Sequence, residues 1–424
     1  MSNDLHVYLY DRHVGVLKPN RRSFIFAYDE KIVATSPGTP LISVALPVQP
    51  ERFMPVRTSN WFTGLLPEDE QKKEVARRFD VRPGDDFGLL REIGWECAGA
   101  VVILPSDRTV PPARLQDLTE AGLCERLRDL PSRPHDGIEA LRVSLGGYQA
   151  KLLLTQTSEG WSMPLDGAIS THILKPEPSQ WPGIAAAEGW VMTASREATP
   201  TAEVVSLNLS DAPPTLVVTR FDRDHESGAL RRVHQEDGAQ AMGLPPDRKY
   251  ISSSPSHSDP SLLKIANLLE RYAVDPSFEQ ARLLEQTVIN VIVGNTDAHA
   301  KNVGILHPTD QTIALSPLYD VVPAIHFIPG QFTMGMRVGE LARIDRVTVD
   351  RLVAEARSWG TRETDAIEVI ERTLTTFAAG VGAADAAFPM VSENVRERTL
   401  RCVSEFRAAL PASGSRRARP PRSP

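Results

Sequence analysis

Residues 290–306 read Asn-Val-Ile-Val-Gly-Asn-Thr-Asp-Ala-His-Ala-Lys-Asn-Val-Gly-Ile-Leu. This stretch decides how the rest of the chain is read. An apolar helical run ends at Gly294. The polar residues Asn295, Asp297, His299, Lys301 and Asn302 follow, and a short apolar run from Val303 to Leu306 closes the segment. A carboxylate with an amide five positions later has a specific use. In phosphoryl transfer of the protein-kinase type, the Asp of such a loop orients and deprotonates the attacking hydroxyl, and the Asn holds Mg²⁺ on the nucleotide. The bare pattern recurs about once by chance in a chain of this length. It gains weight only if a second metal carboxylate, a phosphate lysine and a phosphate loop stand where such a site needs them.

Upstream, Val143-Ser-Leu-Gly-Gly-Tyr-Gln-Ala-Lys151 precedes an apolar strand. Its residues Ser144, Gly146, Gly147, Gln149 and Lys151 form a strand–turn–strand pattern. Glycines there let backbone N–H groups approach and cradle a phosphate, although a plain Gly-Gly hairpin fits the local sequence as well. Lys175 ends the strand of Ser170-Thr-His-Ile-Leu-Lys-Pro, the position from which a kinase lysine reaches the α- and β-phosphates. Residues 185–196 have helical spacing, and their Glu188 is either the partner of Lys175 or a solvated glutamate. Thr215-Leu-Val-Val-Thr-Arg-Phe-Asp-Arg is a strand leading into charge. An adenine ring docks at such a crossing, with Thr219 on the strand and Phe221 as its cover or as a core aromatic. Gln235, Glu236 and Asp237 either order the Asp297 loop by hydrogen bonds or form an acid-rich helix start. His234 with these acids fits no standard zinc spacing.

Downstream, residues 303–306 and 312–315 read as a hairpin. Asp320 follows, 18 residues beyond Asn302. Two oxygen ligands, a carboxylate and an amide, suit Mg²⁺, whose other positions phosphate and water can fill.

The remaining segments fix the organisation. Residues 5–104 read as β-rich with one helix over 67–79. No catalytic composition is visible there, so this is a structural or docking subdomain. Residues 105–137 are Pro-rich and charged, a connector with one short helix over 115–130. Residues 138–250 form a nucleotide-binding lobe, and 251–260 (ISSSPSHSDP) mark a lobe boundary. Residues 251–410 are helical, with helices over 262–273, 278–293 (Ser277 as N-cap), 346–358, 362–379 and 393–410. Residues 411–424 read as a disordered basic tail.

The chain has 424 residues, 41% hydrophobic and 24% charged, with a formal net charge of −7. That charge argues against a body that coats nucleic acid. Three scattered cysteines suggest neither a disulfide framework nor a metal pair. Neither a secretory signal nor a bilayer-spanning run is read from the sequence, which places the chain in the cytoplasm.

Taken together and in order, these segments resemble the HipA family of bacterial serine/threonine kinases, the toxins of type II toxin–antitoxin pairs. Ser144 to Lys151 resembles the family's S-x-x-G-x-Q-x-K loop and Val218 to Arg223 its R-[FY]-D-R hinge. His234 to Gln240 resembles Q-E-D-x-x-Q, Gly294 to Asn302 resembles G-N-x-D-x-H-x-K-N, and Leu318-Tyr-Asp320 resembles the Y-D metal motif. Asn60-Trp-Phe-Thr-Gly-Leu-Leu-Pro-Glu and Gly94 to Ala100 resemble the first subdomain.

The resemblance implies an α+β, two-lobed protein-kinase-like fold with an all-helical C-terminal lobe. It implies Asp297 as catalytic base, Asn302 and Asp320 on Mg²⁺, and Lys175 on ATP phosphates. The phosphate loop, Thr219, Phe221, His299 and Lys301 complete the nucleotide site, with Glu188, Gln235, Glu236 and Asp237 supporting it. Ser144 is the implied autophosphorylation site. The implied substrate is an aminoacyl-tRNA synthetase. The implied partner is a HipB-like helix-turn-helix antitoxin, with DNA reached only through it. Two rivals remain at this stage: a small-molecule phosphotransferase, and a pseudokinase that acts only by binding an antitoxin.

Overall fold

The computed structural model describes residues 4–21, 23–82, 84–110, 112–130, 151–224 and 230–411. The expectations for Ser144, Gly146, Gly147 and Gln149, and for the basic tail beyond residue 411, lie outside the described residues.

The first subdomain is built on an antiparallel sheet of β1 (Leu5–Leu9), β2 (Arg12–Asn20), β3 (Ser23–Tyr28) and β4 (Val101–Pro105), in the order β3-β2-β1-β4. Side chains alternate across a strand, and Leu5, Val7 and Leu9 accordingly point into the core beside Phe24 and Phe26. Four helices accompany the sheet, not one: α1 (Glu30–Thr35), α2 (Pro55–Thr63), α3 (Asp69–Arg78) and α4 (Asp86–Ile93). The three unforeseen helices have 6, 9 and 8 residues. Two turns or so are too short for a 3.6-residue period to stand out.

The second sheet is also antiparallel. It comprises β5 (Ala113–Asp117), β6 (Leu152–Thr157), β7 (Gly160–Asp166), β8 (His172–Pro176), β9 (Val204–Leu207) and β10 (Thr215–Thr219), in the order β5-β7-β6-β8-β10-β9. Residues 105–137 are therefore more than a connector. Their β5 pairs with β7 as an edge strand, and α5 (Glu120–Asp129) buries Leu123 and Leu127 with residues of the sheet. The strand was illegible because all five of its residues are exposed, so it carries no apolar alternation.

Helix α6 (Ile184–Ser195) leaves this sheet and is buried along most of its length. Two short strands, β11 (Arg223–Asp224) and β12 (Arg231–Arg232), follow the sheet. Then come β13 (Gln235–Asp237) and α7 (Gly238–Ala241).

The C-terminal lobe contains α8 (Leu262–Tyr272), α9 (Pro276–Val293), α10 (Val349–Ser358), α11 (Glu363–Ala387) and α12 (Glu393–Ala409). It is not all-helical. β14 (Gly304–Leu306) pairs with both β13 and β15 (Ala314–Leu315), and β16 (Thr333–Val338) pairs with β17 (Leu341–Arg343). β16 was missed because Gly335 interrupts its strand signal. The N-cap of α9 is Asp275, whose carboxylate accepts the Phe278 N–H at 3.0 Å; Ser277 instead donates to that carboxylate at 2.9 Å.

The two lobes are joined along α6 and α11. A Cβ built on Gly380 would lie 2.4 Å from the Ala194 carbonyl oxygen, and one on Gly189 would lie 2.2 Å from the Phe388 ring. Trp190 Nε1 donates to Asp385 at 2.8 Å across the same seam. A side chain at Gly380 must push the helices apart. Gly380→Val is expected to cost at least about 2 kcal/mol, within the range for overpacking. Gly382, one residue pair further on, has open space, and Gly382→Ala is expected to gain about 0.5–1 kcal/mol. Thermal melting of the two variants checks the contrast.

Candidate active site

Helix α9 ends where Gly294 adopts the left-handed φ of 78°, a turn that favours glycine. The turn carries the chain into the 295–302 loop, which is pinned from several sides. Asn295 donates to Asn290 at 2.8 Å and accepts the Asp297 N–H at 3.0 Å. The Gly335 N–H of β16 donates to the Thr296 carbonyl at 3.0 Å, and the Ala300 N–H donates to the Lys249 carbonyl at 3.1 Å. Asn302 Nδ2 donates to the Asp297 carbonyl at 3.0 Å, which orients the amide and leaves its Oδ1 as an acceptor. Tyr319 donates its hydroxyl to the Lys301 carbonyl at 2.7 Å. Asp297 stands at the solvent-open mouth of the loop, where Tyr250 donates to its Oδ1 at 2.6 Å. Protein packed around the carboxyl raises it above the usual range, ahead of the opposing Tyr250 hydrogen bond.

The second carboxylate comes from the other side of the β14–β15 hairpin. Asp320 has a φ of 56°, a conformation that is uncommon without glycine and tends to mark functional loops. Lys175, at the end of β8, reaches Asp320 and also Glu188 of α6, the latter at 2.7 Å. Burial alone would lower the Lys175 ammonium; Asp320 and Glu188 outweigh it and hold the charge well above the usual lysine range. Burial would likewise raise Asp320, but Lys175 brings it down to about 2. Glu188 is fully enclosed, and burial pushes it up against the pull of Lys175. A solvated Glu188 is thereby excluded.

Lys175, Lys301, Asn302, Tyr319 and Asp320 line one cleft of about 140 Å³ between the lobes. Ile173, Val218 and Thr219 supply one wall, and Phe221 and Tyr319 face each other with ring centroids 5.2 Å apart. Lys151 also lines the cleft, with its ammonium pulled down to about 8, first by burial. His299 is kept neutral, at about 4, by burial and by the nearby Lys249. Its Nδ1 has no hydrogen-bond partner among the described residues.

The Gln-Glu-Asp segment divides its labour. Asp237 caps α7 in a capping box with Gln240 and lies 3.4 Å from Lys301, so it is both helix start and loop contact. Gln235 donates to Asp222 at 3.2 Å and lines the same cleft. Glu236 accepts from Ser43, the Val44 N–H and Trp61, and meets His307. It ties the first subdomain to β13, and it also lines the cleft. Asp222 forms a second anchor: it takes Arg220, Arg223 and the Gly99 N–H.

The first subdomain also reaches into the cleft, contrary to its bland sequence. Glu68 pairs with Lys301 at 2.8 Å and with Lys249 at 2.5 Å, and Gly64, Leu65 and Ala98 share the wall. Glu68, Lys249 and Tyr250 were not singled out from the sequence. The acids of 67–69 read as an ordinary helix start, and no local pattern joins residues 181 positions apart.

The cleft fits a Mg²⁺–nucleotide in its donor set. Lys151, Lys175 and Lys301 offer positive charge to phosphates. Asn302 and Asp320 offer hard oxygen ligands, and the aromatic and aliphatic walls suit a base. Among the described residues, no cluster of three His, Cys, Asp or Glu side chains could hold a metal alone. Mg²⁺ shared with phosphate oxygens needs none.

Burial would raise Glu68, but Lys301 and Lys249 bring it from 4.5 down to about 2. A carboxylate depressed on folding stabilises above its unfolded value, and that contribution is lost as pH falls through the folded value. Glu68→Gln should therefore lower the melting temperature most above about pH 5, with the difference from wild type shrinking towards pH 2. An equal deficit at every pH would contradict this.

With the geometry in place, comparison with known proteins gives a consistent picture. Residues 5–104 match the family model described as the HipA N-terminal domain, and residues 143–381 match that of the HipA-like C-terminal domain. The Y4mE protein of Sinorhizobium fredii is 34% identical over 383 residues, 88% of each chain. The serine/threonine-protein kinase toxin HipA of Shewanella oneidensis is 27% identical over 282 residues, 62% of each. A chain of the solved Shewanella oneidensis complex of HipA, HipB and operator DNA superposes with a TM-score of 0.80, at 22% identity, over 95% of this chain and 96% of that one. This likeness establishes the α+β, two-lobed HipA fold.

Proposed function

The chain belongs to the HipA family, and from that premise we propose that it is an ATP- and Mg²⁺-dependent protein serine/threonine kinase. The observation that carries the reading is the convergence in one place of Lys175 with Glu188 and Asp320, beside the Asp297–Asn302 loop. Here Asp297 takes the proton of the acceptor hydroxyl as its oxygen bonds to the γ-phosphorus and the bond to ADP breaks. Lys175 and Lys301 hold phosphate oxygens, and Glu188 keeps Lys175 on station. Phe221, Tyr319, Ile173 and Val218 enclose the base, with Thr219 at the hinge. Asn302 and Asp320 would hold Mg²⁺, which would supply charge neutralisation. The cleft walls exclude water and fix the reacting groups, which accounts for most of the rate in this chemistry.

The biological reading follows the family. The protein is the toxin of a toxin–antitoxin pair in the cytoplasm, and its partner is a HipB-like helix-turn-helix antitoxin through which DNA is contacted. Its substrate is an aminoacyl-tRNA synthetase, whose phosphorylation arrests translation and growth. Support for the partner is the fold shared with a chain of the HipA–HipB–operator DNA complex. No helix among the described residues is long and apolar enough to cross a membrane. Ser144 is the site of self-phosphorylation; a phosphate there adds about −1.5 to −2 charges, which competes with ATP for a phosphate-binding loop and switches the kinase off.

Intact mass after incubation with Mg-ATP tests this. Protein that starts unphosphorylated is expected to gain one phosphate, mapped to Ser144, while Asp297→Ala gains none. A wild type that gains no phosphate and transfers none to a synthetase panel would return the reading to a binding protein.

A further inference from the structure

We propose that Tyr250 is a positioning residue for Asp297: its hydroxyl engages one carboxylate oxygen and so turns the other towards the acceptor hydroxyl. This rests on the reading of Asp297 as the base. Tyr250 donates to Asp297 Oδ1 at 2.6 Å, which leaves Oδ2 as the oxygen that receives a proton. The residue is 44% exposed. It is nevertheless fixed on both sides. The Lys249 carbonyl accepts the Ala300 N–H of the catalytic loop at 3.1 Å. The Ile251 N–H donates at 3.1 Å to the carbonyl of Gly335, whose own N–H bonds to Thr296 at 3.0 Å. Residues 249 and 251 are thus stitched to the segment that carries Asp297 and to the strand behind it. The ring is held further by an edge contact with His299, with centroids 4.9 Å apart and planes at 85°. Next to it, Lys249 is committed to Glu68 at 2.5 Å.

A side chain that only plugged the acceptor position would sit on a segment able to leave. This one is anchored to the very loop it serves, so its hydroxyl travels with Asp297. An acceptor hydroxyl then meets a carboxylate with one rotation already fixed. Preorganisation of this kind acts on the rate and not on nucleotide affinity.

The test is Tyr250→Phe in the full chain, which removes the hydroxyl and keeps the ring. Phosphate uptake is followed against Mg-ATP concentration. The maximal rate is expected to fall about tenfold, as for a lost hydrogen bond to a charged group, with the half-saturating ATP concentration unchanged. A second readout needs no activity. In protein labelled with 3-fluorotyrosine, the ¹⁹F resonance that Tyr250→Phe deletes is expected to shift on Asp297→Asn. An unmoved resonance overturns the contact. An unchanged rate in Tyr250→Phe overturns the positioning role alone, and a faster rate overturns it in favour of a plug. A wild type that takes up no phosphate overturns the kinase reading and this role together, which the wild-type control alone reveals.

Discussion

A single buried ammonium ties the molecule together. Lys175 sits at the end of a strand of the second sheet, takes Glu188 from α6, and takes Asp320 from the helical lobe. A lone charge in this setting would carry a desolvation penalty of several kcal/mol; two carboxylates offset it, and removing the lysine leaves Glu188 buried and uncompensated. The interaction therefore constrains three separate elements at once. It also places positive and negative charge side by side in the cleft, which is what a site for a nucleotide and its divalent cation requires. The tight α6–α11 seam at Gly189 and Gly380 fixes Glu188 from behind, so the lysine is oriented by helix packing as much as by charge.

The first subdomain is integrated with the site and is not appended to it. Three anchors hold it: Glu236 with Ser43, Val44 and Trp61, Asp222 with the Gly99 backbone, and Glu68 with Lys249 and Lys301. All three anchors place a carboxylate against donors from a distant part of the chain. All three carboxylates line the cleft itself. Movement of the subdomain would disturb Lys301 and Lys249 together, and so the loop between α9 and β14.

Much of this was legible in the sequence because the chemistry there is local. Asp297 and Asn302 share one loop, Lys175 ends a recognisable strand, and Asp320 follows a recognisable hairpin, so residue type and order sufficed to expect that they meet. The resemblance to a family supplied the two-lobed architecture that brings them together. What stayed hidden depends on contacts across the chain. Glu68 reads as an ordinary helix-start acid, and Tyr250 as the residue before a Ser/Pro loop. Strand β5 is exposed throughout and shows no alternation. For Gln235 and Glu236 the sequence left open whether they order the Asp297 loop or start a helix. Only the fold shows that one faces the Arg220–Asp222 knot and the other faces the first subdomain. The short helices of that subdomain were invisible for the same reason: two turns packed on a sheet owe their helicity to the tertiary contact.

If Lys175 and Asp320 form the charged floor of a Mg²⁺–nucleotide site, ATP binding depends on both the metal and the Asp320 carboxylate. Calorimetric titration with ATP, with and without Mg²⁺, on the wild type and on Asp320→Asn tests it most directly. Binding by the wild type is expected to strengthen at least tenfold with Mg²⁺, with no such strengthening in the variant. ATP binding of equal affinity in all four titrations, or no binding in any, would contradict it.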